Sequence, residues 1–172
     1  MCEKYCQLIL VLCLLAMTSA LYQTDINANL TIESASDEPV EPGLIFSKIG
    51  NKHYFIETKE RKNWFDAYAT CRQMGAYLIA FKTDEEWRAI TNYLYNGNTL
   101  RYWTAGTDLI KEDNHIWFPT SDPITLSIWY PGEPNNHKGL EHCDELRYYR
   151  SQSVGLNDYY CDSENLFICE LP

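Results

Sequence analysis

The rhythm of apolar and polar positions changes partway along this chain. Folded sequence begins near Phe46, where the turn-forming run Ile49-Gly50-Asn51-Lys52 leads into His53-Tyr54-Phe55-Ile56, which reads as a strand. Trp64, Ala67, Tyr68 and Cys71 then recur at the spacing that lines one face of a helix. Asn63 is placed to cap that helix, with Asp66 three residues on, and Gly75 stops it. Tyr77 to Phe81 is a short apolar strand. Thr83-Asp84-Glu85-Glu86 spells a capping box, with Glu86 at the position that reaches back to the cap, and Trp87, Ile90 and Leu94 form the buried stripe of a second helix ending near Gly97.

Beyond that helix the pattern shifts to short β segments: Tyr102-Trp103-Thr104, Ile116-Trp117, Cys143 to Arg147, Val154 to Asn157 and Phe167 to Glu170. The longest connection runs from Pro119 to Asn136. Helices first and a looped sheet afterwards predict an α+β domain. Structureless loops beyond about 12–15 residues are uncommon in compact domains unless they carry function, so this one marks where a site should be sought.

The N-terminal segment obeys different rules. Lys4, an apolar run from Leu8 to Met17 and the small residues Thr18-Ser19-Ala20 read as a secretory signal peptide over residues 1–20. The apolar run is about half of the ~20 residues a membrane span needs, so no membrane insertion is expected and the chain is read as secreted and extracellular. Residues 21–43 are polar and acidic, with Pro39 and Pro42 near their end, and form a flexible acidic leader. They carry neither a Gly-X-Y repeat nor heptads, hence no built-in trimerising stalk. Residues 44–172 make the domain. Asn29-Leu30-Thr31 is a glycosylation sequon in the exposed leader.

A formal charge of -10 argues against nucleic acid and anionic membranes as partners. Of the seven cysteines, Cys2, Cys6 and Cys13 leave with the signal segment, and Cys71, Cys143, Cys161 and Cys169 remain. An even set in an oxidising compartment predicts two disulfides, with three connectivities that spacing alone does not separate.

The candidate chemistry gathers around two of those cysteines. Glu133-Pro134-Asn135 closes the long loop, Glu141 stands two residues before Cys143, and Asn157-Asp158 end three residues before Cys161. Three short segments thus supply hard oxygen donors, which suits Ca2+, an ion that takes about 6–8 oxygens at about 2.3–2.6 Å. Glu133, Asn135, Glu141, Asn157 and Asp158 form the candidate metal set, with the Asp158 carbonyl as a further donor. This chemistry is binding. His115, His137 and His142 lie among carboxylates, but the chain has no His-Glu-x-x-His, no Gly-x-Ser-x-Gly elbow and no spare thiol, and no enzyme is expected.

From about Phe46 to the C-terminus the chain resembles the carbohydrate-recognition domains of C-type (calcium-dependent) lectins. Trp64-Phe65-Asp66-Ala67 with Cys71, Gly75 and Leu78 looks like the family's first-helix signature, and Trp103-Thr104-Ala105-Gly106 stands where the family has Trp-Ile-Gly. Leu156 precedes Asn157-Asp158 where many members carry Trp. The resemblance implies the short form of the fold, two helices packed on a looped antiparallel sheet, with Cys71 paired to Cys169 and Cys143 to Cys161. It also implies a cis Glu133-Pro134 bond.

In the family two adjacent sugar hydroxyls complete the calcium shell. Glu133 and Glu141 only accept hydrogen bonds, while the amides of Asn135 and Asn157 donate through NH2 as they ligate through oxygen, so each hydroxyl meets one acceptor and one donor. The order Glu-Pro-Asn resembles the mannose-type motif; Gln and Asp there would give the galactose type. His137 is a candidate for packing on the sugar ring, and Tyr148 and Tyr149 are read as core or rim residues. An auxiliary calcium site would use Asp108 and Glu112, shared with Glu141, but Asn136 and His142 replace two of its acids. It is expected to be weak or empty, with Asp108 and Glu112 as surface acids. The likeness to secreted insect C-type lectins implies recognition of glycans on microbial or host cell surfaces in innate immunity. A galactose-binding lectin, or a domain of this fold that takes a protein ligand, are the alternatives. One shallow site implies weak monosaccharide affinity, so repeated glycans or self-association into a homo-oligomer would supply avidity.

Overall fold

The computed structural model describes residues 45–95, 100–149 and 153–172. The signal segment, the leader, Asn29 and Gly97 lie outside the described residues. Strands β1 (Ser47–Ile49) and β2 (Lys52–Ile56) form a hairpin that precedes helix α1 (Trp64–Gln73), the two-residue strand β3 (Tyr77–Leu78) and helix α2 (Asp84–Leu94). Then come β4 (Arg101–Thr107), β5 (Ile116–Trp117), β6 (Asp122–Pro123), a 3-10 turn (His137–Gly139), β7 (Cys143–Tyr149), β8 (Ser153–Tyr159) and β9 (Leu166–Glu170).

Both helices begin where the caps predict. The Asn63 side chain accepts from the Asp66 N–H at 2.9 Å, and Thr83 accepts from the Glu86 N–H at 3.2 Å. Glu86 reaches one residue further back than a capping box requires, accepting from the Lys82 N–H at 2.9 Å. Its other oxygen receives Tyr54 Oη at 2.7 Å and Lys52 Nζ at 2.9 Å. Lys52 also meets Glu170 at 2.8 Å, so one lysine ties the start of α2 to both β2 and β9.

The sheet is mixed, not antiparallel throughout. β9 is flanked by β2 and β3 in antiparallel register, but β4 runs parallel to it, with Tyr102 opposite Leu166 and Trp103 opposite Phe167. Parallel neighbours need a long connection, which the loops and strands between β4 and β9 provide. From β4 the sheet continues antiparallel through β7 to β8. Trp64, Phe81, Trp103, Leu146, Leu156, Phe167 and Ile168 are buried between helices and sheet. Each such side chain contributes about 1.5–3 kcal/mol when fully buried. The two tryptophans also satisfy their indole N–H groups, Trp64 on the Thr104 carbonyl and Trp103 on the Lys62 carbonyl, both at 2.8 Å. Leu156, at the position where Trp was the family habit, packs fully buried in this core.

Both disulfides pair as the resemblance implied. Cys71–Cys169 joins α1 to the last strand, and Cys143–Cys161 joins β7 to the segment after β8.

The Pro119–Asn136 segment is less structureless than its sequence suggests. β6 pairs with β5, and Trp129 bridges to Leu156. Tyr130 N–H donates to the Leu156 carbonyl and Leu156 N–H to the Ile128 carbonyl, both at 2.8 Å, which ties the loop to β8 through a single parallel bridge. Gly155 makes this approach possible: a side-chain carbon there would lie 2.5 Å from the Tyr130 nitrogen.

Candidate functional site

With its foot pinned on β8, the loop returns through Gly132, in the left-handed region at φ 94°, to a cis Glu133–Pro134 bond. Asn135 and Asn136 are then fastened by their backbones. The Asp158 carboxylate accepts from Asn135 N–H at 3.0 Å and from Asn136 N–H at 2.6 Å. Glu141 closes the next turn, its carboxylate accepting from His137 N–H at 3.1 Å while its own N–H donates to Asn136 Oδ1 at 3.1 Å. The Asn135 side-chain amide donates to the Glu133 carboxylate.

Separate segments therefore place Glu133 and Asn135 at the loop's end near Glu141, Asn157 and Asp158, of which the last three are buried. Burial pushes the Glu133 carboxyl above its usual range, and the nearby charges of Asp158 and Glu141 push it further. Burial raises Glu141 as well, with Asp158 adding to it and the His137 N–H opposing. Three carboxylates thus feel one another as like charges. Among the described residues, no three His, Cys, Asp or Glu side chains are gathered closely enough to hold an ion unaided.

Beneath this surface lies a polar layer that the sequence did not announce. Glu145 on β7 faces Asn157 on β8 in register and is fully buried. Its carboxylate accepts from Asn157 Nδ2 at 3.1 Å and Asn165 Nδ2 at 2.7 Å, with Arg101 Nη1 at 3.3 Å. Burial raises its pKa to about 7 against the pull of Arg101. Nearby, His115 Nδ1 pairs with Asp144 at 2.9 Å and its ring packs edge-on to Trp129. Burial raises Asp144 to about 6, with His115 opposing. For His115 burial acts downward, but the Asp144 bond and the charges of Asp144, Asp108 and Asp158 outweigh it and the pKa rises. The available signal was the pair Asp144-Glu145 between Cys143 and Leu146 in a strand covered on both faces.

Asp108 is not the surface acid the sequence suggested. It is buried, accepting from Asp113 N–H and bonded to His142 Nδ1, each at 2.9 Å. Glu112 is exposed and accepts from Asn136 Nδ2 at 2.9 Å. The residues at the two altered positions, His142 and Asn136, thus reach these two acids directly. His137 exposes its side chain on the 3-10 turn. Tyr148 is a core residue whose hydroxyl donates to the Thr91 carbonyl, and Tyr149 lies at the rim with Arg147 against its ring.

Two helices on a mixed sheet, closed by a disulfide from first helix to last strand and extended by a long loop held on β8, define a lectin-type module. The C-type lectin domain family model matches residues 60–171, and the chain belongs to the C-type lectin family. It is 38% identical to C-type lectin 37Da of Drosophila melanogaster over 134 residues, covering 74% of this chain and 72% of that protein. Salivary C-type lectin 2 of Aedes albopictus is 29% identical over 127 residues, covering 70% of this chain and 83% of the relative. Among solved structures, the mouse scavenger receptor C-type lectin carbohydrate-recognition domain superposes with a TM-score of 0.63 at 28% identity, covering 75% of this chain and 94% of that one. Family membership supports carbohydrate binding as the class of function.

Proposed function

We propose that this protein is a secreted, calcium-dependent carbohydrate-binding lectin with a preference for mannose-type hydroxyl pairs. The observation that carries the reading is the loop's end fastened beside two acids, with Asn135 N–H on Asp158 and His137 N–H on Glu141, where the charges of Asp158 and Glu141 act on Glu133 and Asn157 stands next to Asp158 on β8. Such a set fits a hard divalent cation. Every donor is a carboxylate or amide oxygen, and net negative charge concentrates where a cation would relieve it. Glu133, Asn135, Glu141, Asn157 and Asp158 would hold the ion. When bound, calcium accepts lone pairs from two neighbouring sugar hydroxyls. The protein's own part would be to orient those hydroxyls: Glu133 and Glu141 accept hydrogen bonds from them, and the amides of Asn135 and Asn157 offer N–H groups to their remaining lone pairs.

Among the described residues no helix is long and apolar enough to cross a membrane, which is compatible with export after removal of residues 1–20. The partners proposed are glycans on microbial or host cell surfaces, read in innate defence, and the likeness to insect lectins supports that role. Calorimetric titration with calcium chloride, followed by methyl α-mannoside with and without calcium, tests the proposal. Sugar heat is expected only with the ion present. Equal sugar binding in excess chelator would overturn it.

A further inference from the structure

We propose that Arg147 forms an anion subsite beside the calcium site, placed to take the sulfate ester or carboxylate of an acidic sugar in the glycan that the ion holds. The inference rests on the calcium-lectin reading and deepens it, because it names a charged class of glycan.

The sheet register places the residue. On β7 and β8, Glu145 faces Asn157 and Arg147 faces Gly155. Side chains two residues apart on a strand share a face, and one such step is about 7 Å. Arg147 therefore stands on the same face as Glu145 and the Asn157 side chain bonded to it, one step along the strand. A group on the held sugar or on its neighbour can span that step.

Across the sheet, the partner of Arg147 on β4 is a second arginine, Arg101. Like charges directly opposite each other destabilise a sheet, so each calls for a counter-charge. Arg101 has one, Glu145 at 3.3 Å, and its guanidinium lies over the Tyr159 ring at 4.7 Å. Arg147 forms no ion pair among the described residues, and its Nε, although buried, has no hydrogen-bond partner there. A buried N–H left unpaired is destabilising. A ligand with two acceptor oxygens removes that penalty, because Nε and Nη of a guanidinium form a fork that matches sulfate or carboxylate.

The fork is held in position by rings. Tyr149, exposed at the rim, lies against the guanidinium at 5.3 Å, and Tyr130 meets the Tyr149 ring edge-on at 6.4 Å. Ring contact seats a guanidinium without using its N–H groups. The Tyr130 carbonyl also accepts from the Glu133 N–H at 2.9 Å, so one turn carries both the ring cluster and the first proposed ion ligand. With a formal charge of -10, the protein as a whole repels an anionic glycan. A gain in affinity on adding a negative group to the sugar must then come from a local cation.

The test compares three probes by calorimetry in calcium chloride: methyl α-mannoside, methyl α-mannoside 6-sulfate and a glucuronosyl-mannose disaccharide. One or both charged probes are expected to bind roughly tenfold more tightly than methyl α-mannoside, the size of one hydrogen bond to a charged group, and the stronger of the two tells sulfate from carboxylate. In Arg147→Gln the gain is expected to vanish while methyl α-mannoside binds as before, and Arg147→Lys is expected to keep part of it. No gain with either charged probe, or a gain that survives in Arg147→Gln, would overturn the proposal. Equal losses of neutral and charged probes in that variant would mark a structural role and overturn it as well. If methyl α-mannoside does not bind wild-type protein in calcium, the lectin reading fails separately. Sodium sulfate titrated into 15N-labelled, metal-free protein then still decides the subsite, and does so too if Arg147→Gln does not fold. A saturable shift of the Arg147 Nε resonance, larger than that of the exposed Arg88, supports it, and equal shifts contradict it.

Discussion

The carboxylate of Asp158 receives the backbone N–H of Asn135 at 3.0 Å, fastening the tip of the long loop to β8. With the companion bond from Asn136 at 2.6 Å, one strand residue sets the course of the backbone that carries two of the proposed ligands. The site is thus shaped first by protein–protein hydrogen bonds and charged second by its side chains. A site organised in this way has less to lose in loop entropy when an ion arrives.

Gly155 is the second fastening point, and Gly155→Ala tests it. The added carbon would press on the Tyr130 backbone, with the 2.5 Å separation forcing the loop off β8. A loss of about 1–3 kcal/mol in unfolding free energy is expected, as for overpacked sites, together with weaker calcium binding. Denaturant melts with and without calcium check this. Wild-type stability and calcium affinity in the variant would show that the loop's foot does not position the site.

Replacing Glu133 by Gln and Asn135 by Asp together reverses the order of acceptor and donor along the proposed sugar-binding motif. Preference is expected to move toward methyl α-galactoside while calcium remains bound, measured by competition on an immobilised glycan. An unaltered ranking would contradict the donor–acceptor argument.

The Cys143–Cys161 bridge closes a loop of 18 residues, for which chain entropy gives about 3 kcal/mol; Cys71–Cys169, spanning 98, is worth about 5 kcal/mol. Replacing Cys143 and Cys161 by Ser should therefore lower the melting temperature less than replacing Cys71 and Cys169. It should weaken calcium binding more for a given loss of stability, because β7 and β8 carry the buried polar layer and the staple joins their ends. Thermal melts and calcium titration of both double variants distinguish the two effects.

Much of this was legible in the sequence, and the reasons differ by element. The helices were fixed by local chemistry: Asn63 and Thr83 cap where they stand, and apolar residues repeat on one face. The ligand candidates stood out because Glu, Asn and Asp clustered at set distances from paired cysteines. The parallel β4–β9 pairing was not readable, since strand direction depends on partners more than 60 residues apart, as with Trp103 and Phe167. Asp108, Asp144 and Glu145 were also missed, because an acid's burial depends on what its strand or loop is packed against. Glu145 is the clearest case, because its bond from Asn157 Nδ2 follows from a strand register that the sequence does not display.

Removing metal should expose the cost of the buried acid–histidine pair. Asp144 keeps its proton to about pH 6 in the folded state, against about 3.9 when unfolded, so the native chain holds the extra proton and stability falls as pH rises through that window. His115, raised above its ordinary value of about 6.5, adds stability that is full below that pH and is lost as pH rises through its folded value. Both slopes have the same sign. In chelator, wild-type protein should lose on the order of 1–3 kcal/mol between pH 5 and about 8 relative to Asp144→Asn, followed by urea melts. Parallel pH profiles for the two proteins would contradict the assignment.

The central claim is that protein oxygens and a sugar hydroxyl pair share one calcium ion. It is tested most directly by a glycan array probed with the purified protein in calcium and again after chelation, with calcium then restored. The account predicts binding to mannose-type glycans that disappears on chelation and returns on readdition. Binding of equal strength in chelator would contradict it.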